Sequence, residues 1–216
     1  MTQPRFDLFT LVHKGQRRVL FELTSAAGQL DTHDGAGRDG LASRIRAFFA
    51  TMIEHAEHED TYLLPLVMQG APELAARMQA GHVALDAQLA DVVANVDAAL
   101  AVRTRAGDLA LYRALARLTS TYLAHVDLED VEVQSALWAT FDDGKLAQVQ
   151  GQLVAAHRPA TVMFNLQAMM PAASSAERVA FLSGLRRNMP PPAFANVRAL
   201  VHSLLASTEW ALIDAA

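Results

Sequence analysis

A lone histidine followed by an H-x-x-x-E phrase occurs twice in this chain at nearly fixed spacing. His55 and His125, Glu59 and Glu129, and Asp60 and Asp130 are each 70 positions apart, and His13 and His82 are 69 apart. Four residues is just over one helical turn, so the His and Glu of each phrase stand on one face of a helix. An imidazole and a carboxylate on one face can grip the same hard or borderline metal ion. The repeat therefore predicts two copies of one helical hairpin. Packed about a pseudo-two-fold, they bring His13, His55, Glu59, His82, His125 and Glu129 to one level of a shared interior.

The hydrophobic pattern supports helices around these residues. Apolar residues recur at three- to four-residue steps from Phe6 to Leu30, the period of a helix with one buried stripe. The segment Asp31–Gly40 reads as a loop by its Gly and Asp content, with the second helix following to Met68 and Pro65 kinking or closing its end. A third helix opens at Pro72, a favoured first-turn residue, and runs to Ala101. A fourth runs from Asp108 to Ala139. Long helices with mostly short connections predict an all-α, up-down-up-down antiparallel four-helix bundle over residues 1–141. Residues 142–216 are more broken. Ser174-Ser-Ala-Glu177 predicts a capping box opening a helix to Asn188, and a last helix is expected from Ala193 to Ile213. This part is read as a helical appendage packed on the bundle or on a partner.

Composition narrows the possible functions. The net charge is −5 with no Lys/Arg run, which argues against nucleic acid as a partner. No apolar run approaches the roughly 18 residues of a membrane span. The start MTQPRFDLFT lacks the basic, apolar and small-residue zones of a signal peptide. Cysteine is absent, which removes disulfides and thiol chemistry and suits a reducing compartment. A cytoplasmic location is the expectation.

Six ligands are too many for one tetrahedral zinc. They suit two five- or six-coordinate metals, with two His on each and the carboxylates bridging. Imidazole and carboxylate without thiolate favour iron or manganese over zinc. Two iron ions joined by an oxo or hydroxo bridge are the expected cofactor, with Mn or Zn as substitutes.

The phrases themselves resemble the hemerythrin-like, or HHE cation-binding, family. His55-Ala-Glu-His-Glu-Asp-Thr-Tyr-Leu-Leu-Pro65 is similar to that family's second-helix signature, and Asp7-Leu-Phe-Thr-Leu-Val-His13 to its first-helix His. Gly81-His82 resembles the third-helix His, and His125-Val-Asp-Leu-Glu129-Asp130 the fourth-helix pair. The resemblance covers residues 6–140 and implies a non-haem di-iron centre with the same six residues as ligands. Oxygen-carrying members have a fifth His one turn along the third helix, where this chain has Asp86. The set is closer to bacterial di-iron proteins of iron–sulfur-cluster repair, which use four His and two Glu but also carry a Cys-containing segment that this chain lacks. The appendage is similar to tails of some bacterial members.

Neighbouring residues leave alternatives. Asp60 and Asp130 either accept the outer N–H of a ligand His or form surface ion pairs. Tyr62 and Tyr122 either line an open position or pack the core, and His58 sits either in solvent or at a helix seam. His33, His157 and His202 read as structural or solvated. Phe9, Phe48, Phe49 and Met52 would make the pocket apolar. Function divides accordingly. One reading is a protein that binds or senses O2 or NO, or handles iron. Another is an enzyme acting through the same centre on NO, peroxide or damaged iron–sulfur clusters. The third is an interaction module in which the appendage forms a homodimer.

Overall fold

Helical propensity prevails along the described residues. The computed structural model describes residues 5–214, and these form nine helices with no strand among them. The stretch before Arg5, part of the reading of the N-terminus, lies outside the described residues. Helix α1 is Thr10–Gly28. Helix α2 comprises Gly35–His58, a π turn Glu59–Leu63 and Leu64–Gly70. Helix α3 is Pro72–Ala101. Helix α4 repeats the plan of α2, with Arg105–Leu128, a π turn Glu129–Val133 and Gln134–Thr140. Five shorter helices follow: α5 Asp143–Ala156, α6 Pro159–Ala172, α7 Ser175–Asn188, α8 Pro191–Leu204 and α9 Ser207–Asp214.

The chain divides into two compact units. One holds Met1–Phe9 and Val19–His157, the other Thr10–Arg18 and Arg158–Ala216. In the first unit, pairs of contacts fix the helix directions. Arg38 Nη2 donates to the Ala99 carbonyl at 2.6 Å, Arg46 meets Asp97 at 2.6 Å, and Asp60 meets His82 at 2.8 Å. Numbers rise along α2 as they fall along α3, so the two are antiparallel. Helices α3 and α4 are antiparallel by the same reasoning, through Arg77–Glu132 at 2.7 Å, Gln88–Thr121 at 2.9 Å and Asp91–Arg117 at 3.4 Å. A core at one end of this unit contains Phe9, Leu63, Met78, Val133, Leu137 and Leu146, all buried. Each such side chain stabilises by roughly 1.5–3 kcal/mol. Helix α5 contributes Leu146, Val149 and Leu153 to that core. At the other end Arg38 is buried and pairs with Asp108 at 2.6 Å.

The second unit has its own small core of Met170, Leu182, Val201 and Trp210. Arg178 is buried beneath it, donating to the Met170 carbonyl at 2.8 Å and pairing with Glu209 at 2.9 Å. Ser174 and Glu177 form the expected capping box at the start of α7.

Three expectations are corrected. The Gly-rich segment is not all loop: α2 begins at Gly35, because the Asp34 side chain accepts from the Gly37 N–H and caps it. Pro65 does not end its helix. The π turn before it places the Leu64 N–H on the Glu59 carbonyl, and Pro65 then occupies the first turn of the resumed α-helix, where its missing N–H is harmless. The last helix is two helices, α8 and α9, separated at Leu205–Ala206. There the Glu209 carboxylate accepts from the Ala206 N–H and starts a new helix.

Candidate metal centre

The two π turns begin on Glu59 and Glu129, the same position of the repeat. Only the first has a proline nearby, so proline is not their cause. A π turn inserts an extra residue per turn and re-aims the side chain at its start, and such turns concentrate at functional positions. Both Glu side chains are buried, at 2% and 0% exposure. Helix α2 supplies His55 and Glu59, α3 supplies His82, and α4 supplies His125 and Glu129.

Within the first unit these five residues converge. His55 Nε2 lies 3.2 Å from Glu59 Oε1, and His125 Nε2 lies 3.0 Å from Glu129 Oε1. Between them, His82 Nε2 faces both carboxylates, 3.5 Å from Glu59 Oε2 and 3.4 Å from Glu129 Oε1. The ligating atoms of His82, His125 and Glu129 lie within 4.8 Å of one another. The His82 and His125 rings meet edge to face with centroids 4.7 Å apart. His13 stands on α1, in the portion that belongs to the second unit, and is buried.

Asp60 fixes the orientation of His82. The His82 Nδ1–H donates to Asp60 Oδ1 at 2.8 Å, which turns Nε2 inward. Of the two roles open to Asp60, this is the one the fold selects.

Electrostatics within the cluster follow from two buried acids in one small space. Burial opposes charge on His82, but Glu129 and Glu59 outweigh it and push its pKa up to about 11. Burial likewise opposes charge on His55, and Glu59 holds it above its ordinary value. Burial and Glu59 both work to raise Glu129, yet His125 and His82 keep it below the usual carboxylate range. The carboxylates thus draw positive charge into this space. A cation seated among these N and O donors supplies that charge, so the residues fit a metal. Two imidazoles and a carboxylate converging without thiolate form a donor set suited to iron or manganese.

Beside the cluster is a cavity of about 20 Å³, lined by Met52, Leu85, Leu89, Tyr122 and Val126 in addition to His55, Glu59, His82, His125 and Glu129. That is room for about one water-sized occupant. Tyr122 therefore joins the site. Tyr62 packs against the apolar core instead. Phe9 and Phe48 are core residues that do not line the cavity. His58 lies at a helix seam, its ring 4.5 Å from that of His157 on the residue after α5. His33 is in the α1–α2 connection, and His202 packs on Trp210 with centroids 4.7 Å apart.

One feature of the site escaped the sequence. A Cβ placed on Gly81 would overlap Nδ1 of the His125 ring and come within 2.8 Å of its Cε1. Only glycine lets α3 approach His125 this closely. Its position directly before His82 was the available signal.

No curated protein and no solved structure matches the chain. The family model described as Hemerythrin HHE cation binding domain matches residues 5–137, which take in α1 through most of α4. With that match over more than half its length, the chain belongs to the hemerythrin HHE cation-binding family.

Proposed function

We propose that this is a non-haem di-iron protein that binds or senses O2 or NO, or handles iron, through His13, His55, Glu59, His82, His125 and Glu129. The carrying observation is the convergence of His82, His125 and Glu129 beside a small, mostly apolar cavity. His13 completes the set by the repeat: in sequence it precedes His55 and Glu59 at nearly the spacing by which His82 precedes His125 and Glu129. In this reading the antiparallel pairs α2–α3 and α3–α4 close with α1 as an up-down four-helix bundle. Bound irons would supply a redox-active centre with positions open to a diatomic ligand.

The chain's own residues do the rest. Glu59 and Glu129 supply negative charge between the two halves, and Asp60 holds His82 in register. Met52, Leu85, Leu89 and Val126 limit the room to a ligand of about diatomic size and keep it dry. Among the described residues, the cavity is lined by no general acid or base apart from the proposed ligands and Tyr122 and Asp86 at its edge. That favours binding over turnover.

The test is metal analysis with absorption spectra on the full chain, loaded anaerobically with Fe2+. Two irons per chain, and a spectrum that changes reversibly with O2 or NO, are the expected result. No iron retained would overturn the reading, and a stoichiometry of one would remove its di-iron part.

A further inference from the structure

Two hollows meet beside the candidate centre. The inner one is the cavity just described. The outer one is a groove of about 600 Å³ between α2 and α3, lined by Phe49, Ile53, Asp86, Leu89, Val93 and Asp97 among others. Asp86 and Leu89 line both. They mark the neck where the groove adjoins the inner cavity. Leu89 is buried, whereas Asp86 is exposed. Asp86 lies four residues beyond His82 on α3, so it shares the face of the helix that carries that ligand.

The two groove carboxylates differ in their surroundings. Asp97 is 2.6 Å from Arg46 Nη2, which compensates its charge. Asp86 has no ion pair or hydrogen bond among the described residues. It is an uncompensated anion at the neck of an otherwise apolar passage. A hydrated divalent cation meets an energetic barrier on entering such a passage, and a fixed negative charge at the mouth lowers it and raises the local cation concentration.

We propose that Asp86 is the portal residue through which divalent cations reach and leave the centre. It speeds exchange without itself holding the bound metal. This inference rests on the metal-binding reading above.

The probe is Co2+ alone, added to the cation-free full chain and followed by its visible absorption in a stopped-flow instrument. Asp86→Asn is expected to slow uptake about three- to tenfold at low salt, with the difference shrinking as salt screens the charge. Asp86→Glu should restore the rate, and Asp97→Asn should leave it unchanged. Because a portal acts on the barrier alone, release into excess chelator should slow by the same factor, and equilibrium affinity and stoichiometry should stay those of the parent. Asp86→Asn with parental uptake and release would overturn the proposal. So would a tenfold loss of affinity, which would place the effect of Asp86 on the bound state and not on the barrier. No Co2+ bound by the parent chain would instead overturn the metal-binding reading itself.

Discussion

His125 is closely confined. Its ring has His82 on one side, 4.7 Å away between centroids, and the Gly81 backbone on another. Gly81→Ala leaves the ring no way to keep its place, since the new methyl would overlap Nδ1. The variant is expected to fold, because Ala suits a helix interior better than Gly. Metal affinity should fall about 10- to 100-fold, the scale seen when groups that orient a ligand are disturbed, in a Co2+ or Fe2+ titration. Asp60→Ala should cost a similar factor by freeing His82 to rotate, and Asp60 is only partly buried, so thermal unfolding should change little. Parental affinity in both variants would show that ring orientation does not matter here. The repeat placed His82, Glu129 and Asp60 correctly on helix faces, because a period of 3.6 residues fixes direction around an axis. It could not choose between an ion pair and a ligand contact for Asp60, since that choice depends on how far α2 stands from α3.

Among the elements, the ends of α2 and α4 are tied by a charge pair that the sequence did not reveal. Arg38 and Asp108 are both buried, 2.6 Å apart, and Arg38 also donates to the Ala99 carbonyl at 2.6 Å. The Gly and Asp around Arg38 read as loop, and nothing in periodicity marks an arginine as interior. Asp108→Ala leaves that cation buried with only the Ala99 and Asp31 carbonyls as partners, and it should destabilise by about 3–5 kcal/mol in chemical denaturation. A second tie joins Lys14 on α1 to Glu177 in the first turn of α7, at 2.6 Å. Burial works against the Glu177 charge, but hydrogen bonds from Lys14 and Ser174 hold its pKa at about 2, against an ordinary value of 4.5. A lowered folded-state pKa stabilises above the unfolded value, and that stabilisation is lost as pH falls from about 4.5 toward 2. The pair is about one-third exposed, so its worth is on the order of 1 kcal/mol or less. A carboxyl-carbon NMR titration should place the Glu177 midpoint near 2, and Lys14→Met should move it upward. The capping box was legible because Ser and Glu three apart carry their own geometry. The π turns were not, because the Glu129 turn has no proline or glycine to mark it.

For the whole molecule, bound metal should be a large part of stability, and the difference in the carboxylate effect between empty and loaded protein is the informative part. A cation that binds the native state alone stabilises by about 2.7 kcal/mol at a hundred times its dissociation constant. In a chain of this length that is roughly 5–10 °C in Tm. Chelation should therefore lower Tm by about that amount in differential scanning calorimetry. Glu59 and Glu129 both lie against His82 in the same buried space, and like charges held there repel when only protons compensate them. Replacing one acid by its neutral isostere relieves that repulsion but removes a donor. Glu59→Gln also takes a partner from His55 and His82, so it is expected to melt a little below the parent when both are cation-free, and far below it when both are loaded with Fe2+. The gap between loaded and stripped protein should shrink accordingly. A variant that melts lower by the same amount in both states would mean that Glu59 serves packing rather than the cation. A loss that is small in the empty fold and large in the loaded one is what a carboxylate kept for a metal requires.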